Sequence, residues 1–206
     1  MTDLIDRLAG VIPDTAADAL RRHRPATRDN AQASYDALFT GIDETHATLA
    51  ERAAVAQFVA ILHDDEVATA HYGALTRTAG GDADSGDGDA LADAVVDLAA
   101  SVRTTGPYGD YPTAALAAEN RDGLRLSVAA GDPARAALGD RVTAALEHAH
   151  LLVFRPREAS PEALAALAAA GWSSDGIVTL SQLVSFLAFQ LRVAAGLRLL
   201  TTEDAA

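Results

Sequence analysis

Residues 51–77 read Glu51-Arg-Ala-Ala-Val-Ala-Gln-Phe-Val-Ala-Ile-Leu-His-Asp-Asp-Glu-Val-Ala-Thr-Ala-His-Tyr-Gly-Ala-Leu-Thr-Arg77. Val55, Phe58, Val59 and Leu62 keep the i, i+3, i+4, i+7 spacing of a buried helical stripe. Thr45 or Thr48 stands where a cap is needed, so the pattern predicts one amphipathic helix from about 47 to 78. The run His63-Asp64-Asp65-Glu66 interrupts its apolar sequence, and His71-Tyr72 follows. Three acids in succession mean that the helix surfaces there or lines a polar cavity.

Helical geometry limits what these groups do together. On a continuous helix Asp64 and His71 share a face but lie ~10 Å apart along the axis. His63 and His71 differ by eight positions and fall on different parts of the circumference. The helix alone therefore offers no His–carboxylate dyad and no metal-binding pair at i, i+4.

Composition points to the same class of fold. Half of the 206 residues are hydrophobic and only 5% are aromatic. A core of Ala, Leu and Val suits close-packed helices better than a sheet. The expected fold is all-α, with about seven to nine helices in one domain, residues 1–206. A helical extension covers about 1–27, and a flexible Asp/Gly loop covers 80–89. Net charge is −13, and all 16 basic residues are Arg. Such acidity argues against nucleic acid and against anionic membrane as partners. With no cysteine, the chain has no disulfide, thiolate metal site or cysteine nucleophile. The acidic N-terminus is unlike a signal peptide, and no uninterrupted apolar run reaches ~18 residues. The expected location is the cytoplasm.

Other features have structural explanations. Arg21-Arg22-His23-Arg24 ends a helix capped by Asp14, where positive charge opposes the helix dipole. The acidic run 82–89 fails the calcium-loop pattern: counted from Asp82, position 5 is Gly86, position 6 is Asp87 and position 12 is Asp93. Tyr108 and Tyr111 lie in a Gly/Pro-rich loop, at a pocket mouth or as plugs. His148 and His150 are two apart and point to different faces of a helix, so a metal there needs ligands from elsewhere. His46 precedes the long helix without an evident role. No metal site and no cofactor are expected.

Residues 169–192, Ala-Ala-Gly-Trp-Ser-Ser-Asp-Gly-Ile-Val-Thr-Leu-Ser-Gln-Leu-Val-Ser-Phe-Leu-Ala-Phe-Gln-Leu-Arg, place a Gly-and-polar turn and an acidic-x-Ile-Val step before a helix carrying an amide and an Arg. Together with the segment from Glu51 to Tyr72, this resembles the AhpD-like (alkylhydroperoxidase / carboxymuconolactone decarboxylase) family, over roughly 28–78 and 145–200. Within that family it is most similar to a cysteine-poor branch of CMD domain proteins.

The resemblance implies an AhpD-like helical domain and an assembly of trimers or hexamers. Glu51 falls on the family's helix-start Glu, a proton-relay residue in the peroxidases. Asp65 and Ala68 fall on the cysteine positions, and His71 or Tyr72 on the following His. Without thiols the peroxidase route is chemically excluded in this subunit. The decarboxylase branch works without the cysteine pair. A pocket of Glu51, His63, Asp65 and His71, with Tyr72 and Arg192 binding substrate, is then implied for a small acid or lactone. Arg192 anchors a substrate carboxylate or forms a buried ion pair with Glu51 or Asp65. The competing expectation is a non-catalytic helical oligomer, or a partner subunit of a cysteine-bearing relative or a flavin enzyme.

Overall fold

The computed structural model describes residues 3–81 and 86–203, and the side chains through Leu200. Much of the expected Asp/Gly loop, residues 82–85, lies outside the described residues. The all-α expectation holds: among the described residues there are ten helices in nine named elements and no strand, Pro133–Phe154 being two helices joined at a kink at Gly139 (φ 75°, ψ 160°). They are α1 (Leu4–Ala9), α2 (Ala16–His23), α3 (Pro25–Phe39), α4 (Leu49–Leu62), α5 (Glu66–Ala79), α6 (Asp87–Val102), α7 (Pro133–Phe154), α8 (Pro161–Ala169) and α9 (Ser174–Glu203). The segment between α6 and α7 is irregular, with a 3-10 turn at Ala114–Glu119 and one isolated bridge between Gly109 and Arg121.

The single helix expected over 47–78 is in fact two. After Leu62 the chain turns: Asp64 takes the left-handed conformation (φ 58°) and Asp65 is extended (φ −103°, ψ 95°). Asp tolerates the left-handed region better than most side chains, because its short polar group bonds locally. Asp65 then caps α5, its carboxylate accepting the Ala68 N–H at 3.0 Å. The acids at 64–66 are thus a break and a helix start, and not the middle of a helix.

Nor is α4 amphipathic. Every residue from Glu51 to Ala60 is buried, because α5, α6, α7 and α9 surround the helix. Ala53, Ala54, Ala56 and Ala60 are fully enclosed, and their small side chains let the neighbouring helices come close. Thr48 begins α4 with a capping box: its hydroxyl accepts the Glu51 N–H, while Glu51 accepts the Thr48 N–H at 2.9 Å.

The stripe Leu180, Leu183, Leu187, Leu191, Ala194 and Leu197 buries one side of α9 against α1, α4 and α7. By length and composition Ser174–Leu200 is apolar enough to cross a membrane, contrary to the expectation that no segment would qualify, and 39% of its apolar window is buried within the fold. A core helix of this kind passes the same test.

At the N-terminus, Leu4, Ile5 and Leu8 are buried, and Asp3 and Asp6 pair with Arg21 (2.5 and 2.9 Å) and with Arg28 (3.3 and 2.6 Å). Arg21 near the end of α2 therefore clamps α1 as well as meeting a helix dipole, and Arg28 of α3 clamps it too. Thr15, and not Asp14, caps α2.

At Gly88 the backbones of two helices meet closely. A Cβ built there would lie 2.0 Å from the Arg77 carbonyl oxygen, so α6 starts against the end of α5 only because position 88 lacks a side chain. Gly88→Ala is expected to destabilise the fold by about 1–3 kcal/mol, read as a lower denaturation midpoint with unchanged helical content.

Candidate functional site

An open groove of about 920 Å³ runs past the turn between α4 and α5. His63 and Asp64 form one wall, residues 103–107 after α6 another, and Leu152–Phe154 of α7 with Ser185 and Arg192 of α9 the rest. The turn that ends α4 is what brings His63 here: as the C-cap residue it leaves the buried helix and half-emerges.

The His63 ring is fixed in one tautomer. Its Nδ1–H donates to the Val59 carbonyl at 2.9 Å, which leaves Nε2 with a lone pair and no protein partner. Burial lowers its pKa below the ordinary value; the Val59 bond opposes that shift, and the charge of Arg192 adds to it. His63 is therefore neutral at pH 7. Arg192 spends one N–H on the Ala188 carbonyl at 3.1 Å and is otherwise exposed. Arg103 also faces the groove, paired with Asp64 at 3.0 Å. A base with a defined lone pair, next to an exposed guanidinium, suits an anionic substrate that loses or gains a proton.

The remaining expected site residues lie elsewhere. The carboxylate of Glu51, already half of the capping box, pairs with Arg141. Asp65 caps α5 and pairs with Arg198. The arginine partners of these two acids are thus Arg141 and Arg198, and Arg192 pairs with neither. His71 is half-buried, its Nε2 3.1 Å from the Tyr35 hydroxyl, with burial lowering its pKa. Tyr72 is fully buried and donates to Gln190 Oε1 at 2.5 Å, and burial pushes its phenol far above its ordinary pKa. Of Glu51, His63, Asp65, His71, Tyr72 and Arg192, the structure brings only His63 and Arg192 into one groove.

The sequence reading missed several participants. Arg103 follows α6 by one residue and reaches the groove only because the next segment folds back along α7, with the Tyr108 N–H bonded to the Phe154 carbonyl at 2.6 Å. His46 has a role after all: Nδ1 lies 2.9 Å from Ser173 Oγ, and Nε2 lies 3.5 Å from Asp175. Ser173 Oγ also accepts the Gly176 N–H at 3.1 Å, so this exposed trio ties the 40–48 segment to the start of α9. Among the described residues no group of His, Asp and Glu is placed to hold a metal.

No protein-family model, curated protein or solved structure matches this chain.

Two expectations follow from this distribution of charge. Glu51→Gln keeps a capping acceptor but leaves Arg141 without its carboxylate, so it is expected to lower stability by about 1–3 kcal/mol in chemical denaturation. His63, His71, His148 and His150 all have pKa values held below 6.5, chiefly by burial. Between those values and 6.5 the unfolded chain binds more protons than the folded one, so stability rises with pH through that window and levels off above it. The melting temperature measured from pH 5 to 8 is expected to climb and then flatten; a profile falling with pH across that range would contradict this account.

Proposed function

We propose that the groove around His63 and Arg192 binds a small carboxylic acid and that His63 acts there as a general acid–base group, in a cysteine-less protein of AhpD-like build. The observation that carries the reading is the tautomer: the proton of His63 is committed to the Val59 carbonyl, so Nε2 faces its surroundings as a base. Arg192 holds the substrate carboxylate, and Arg103 adds positive charge to the same wall. The proton leaves a carbon adjacent to a carbonyl and is held on Nε2. The developing enolate is stabilised by the guanidinium, and the proton returns from Nε2 to the product.

The family part of the reading has separate support. Asp65 and Ala68, on the positions the resemblance gives to cysteines, are the N-cap and third residue of α5 and are joined by the cap bond. A helix N-terminus is where a Cys-x-x-Cys pair gains thiolate character. The two segments that carry the resemblance also pack on each other through Tyr72–Gln190 and Asp65–Arg198.

The test is deuterium wash-in from solvent, followed by NMR, at the carbons flanking the ketone in a panel of small keto acids beginning with levulinate. Wild-type protein is expected to accelerate exchange, and His63→Ala to lose about 100-fold or more of that acceleration. Arg192→Ala is expected to raise KM with a smaller effect on kcat. Because the reactive form is neutral His63, the rate rises with pH to a plateau, with its midpoint below the ordinary histidine value. Equal exchange by wild type and His63→Ala, or none across the panel, would remove the acid–base assignment.

A further inference from the structure

A second cavity, of about 610 Å³, shares no lining residue with the His63 groove. It lies between α7, α8 and the 125–127 segment. Its apolar surface comes mainly from Ala163, Ala166 and Leu167 of α8 and from Ala144 and Leu151 of α7. Two imidazoles complete it. His148 is 5% exposed, and neither of its ring nitrogens has a hydrogen-bond partner. His150 is 1% exposed and spends one nitrogen on the Val102 carbonyl, leaving Nε2 unbonded.

An enclosed imidazole with both nitrogens unbonded is rare, because buried polar groups are nearly always paired. A neutral imidazole offers one donor and one acceptor. A half-turn about χ2 interchanges its nitrogens with its ring carbons at little cost, so the ring can present either edge to the cavity.

A hydroxyl can meet whichever nitrogen faces the cavity, donating to the bare nitrogen or accepting from the N–H. A carboxylate is less suited, because the guanidiniums lining the cavity are already engaged. Arg125 and Arg155 pair with Glu158, and Arg135 pairs with Asp140 and the Val128 carbonyl. A metal ion is also unsuited, as no third ligand stands near the two histidines among the described residues.

We propose that this cavity binds a neutral, largely apolar molecule carrying a hydroxyl group, such as a phenol or a cyclic alcohol, with His148 as the hydrogen-bonding residue. The volume accommodates a bicyclic ring system with room to spare. The alanines of α8 leave the ring space to enter.

Calorimetric titration with 2-naphthol, naphthalene and 2-naphthoate tests this at pH 7.5, where 2-naphthol is neutral. The full chain is expected to bind 2-naphthol saturably, with naphthalene and 2-naphthoate each at least about tenfold weaker. His148→Phe is expected to weaken 2-naphthol by about tenfold while leaving naphthalene unchanged, and His148→Gln, which keeps a donor and an acceptor, to retain binding. Ala166→Phe, on the exposed side of α8, fills the cavity without touching the core and is expected to abolish binding. It decides the matter should His148→Phe fail to fold. Equal affinity for 2-naphthol and naphthalene, tighter binding of 2-naphthoate, no saturable binding, or indifference to Ala166→Phe would each overturn the proposal.

Discussion

Arg141 holds together four parts of the chain that share no local sequence. From the middle of α7 its Nε donates to the Glu51 carboxylate at the start of α4, Nη1 donates to the Gly171 carbonyl between α8 and α9, and Nη2 donates to the His46 carbonyl at 2.7 Å. The same guanidinium stacks over Trp172 at 4.1 Å, and the Trp172 indole N–H returns a bond to the Arg141 carbonyl at 2.9 Å. A planar fork is the side chain that can serve a carboxylate, two carbonyls and an aromatic face at once; an ammonium cannot. This clasp sets where α4 begins relative to α7 and α9, and so where α4 ends, which is where His63 leaves the core.

The carboxylates and the imidazoles divide the work of the molecule. Each buried acid that sequence reading would assign to catalysis is bound by an arginine and a helix cap at the same time, as with Glu51 and Asp65. An acid so held already spends its oxygens on structural bonds, which leaves it little capacity to engage a substrate. His63, His71, His148 and His150 lack such ion pairs, and burial holds their pKa values below the ordinary one. Imidazole nitrogens without a protein partner occur in both the His63 groove and the cavity between α7 and α8.

The fold class was legible because it rests on composition and spacing: many alanines, few aromatics and a clear stripe from Val55 to Leu62. The break after Leu62 was not, because the apolar period on either side conceals it. Asp64 and Asp65 carried the signal, since an acid pair before Glu66 is also the pattern of a turn followed by an N-cap. The site was less legible than the fold. Arg192 and His63 line one groove although 129 residues separate them, brought there by the packing of α4 and α9, and no local pattern encodes that placement. Glu51 and Asp65 were expected in a catalytic pocket, or one of them paired with Arg192; their pairing with Arg141 and Arg198 requires the helix arrangement itself. His148 and His150 looked inert because each lacks a ligand-like neighbour in sequence, although that lack of partners is what sets His148 apart in the folded chain.

The exclusive use of arginine has a consequence for the environment the molecule tolerates. A guanidinium keeps its charge at any alkalinity a protein survives, so no clasp in this structure opens by losing a cation. Each arginine–carboxylate pair described here keeps its cation in base, whereas the His46–Asp175 contact is an ion pair only while the imidazole is protonated. The clasps that seat its helices are thus built on cations that alkali does not remove.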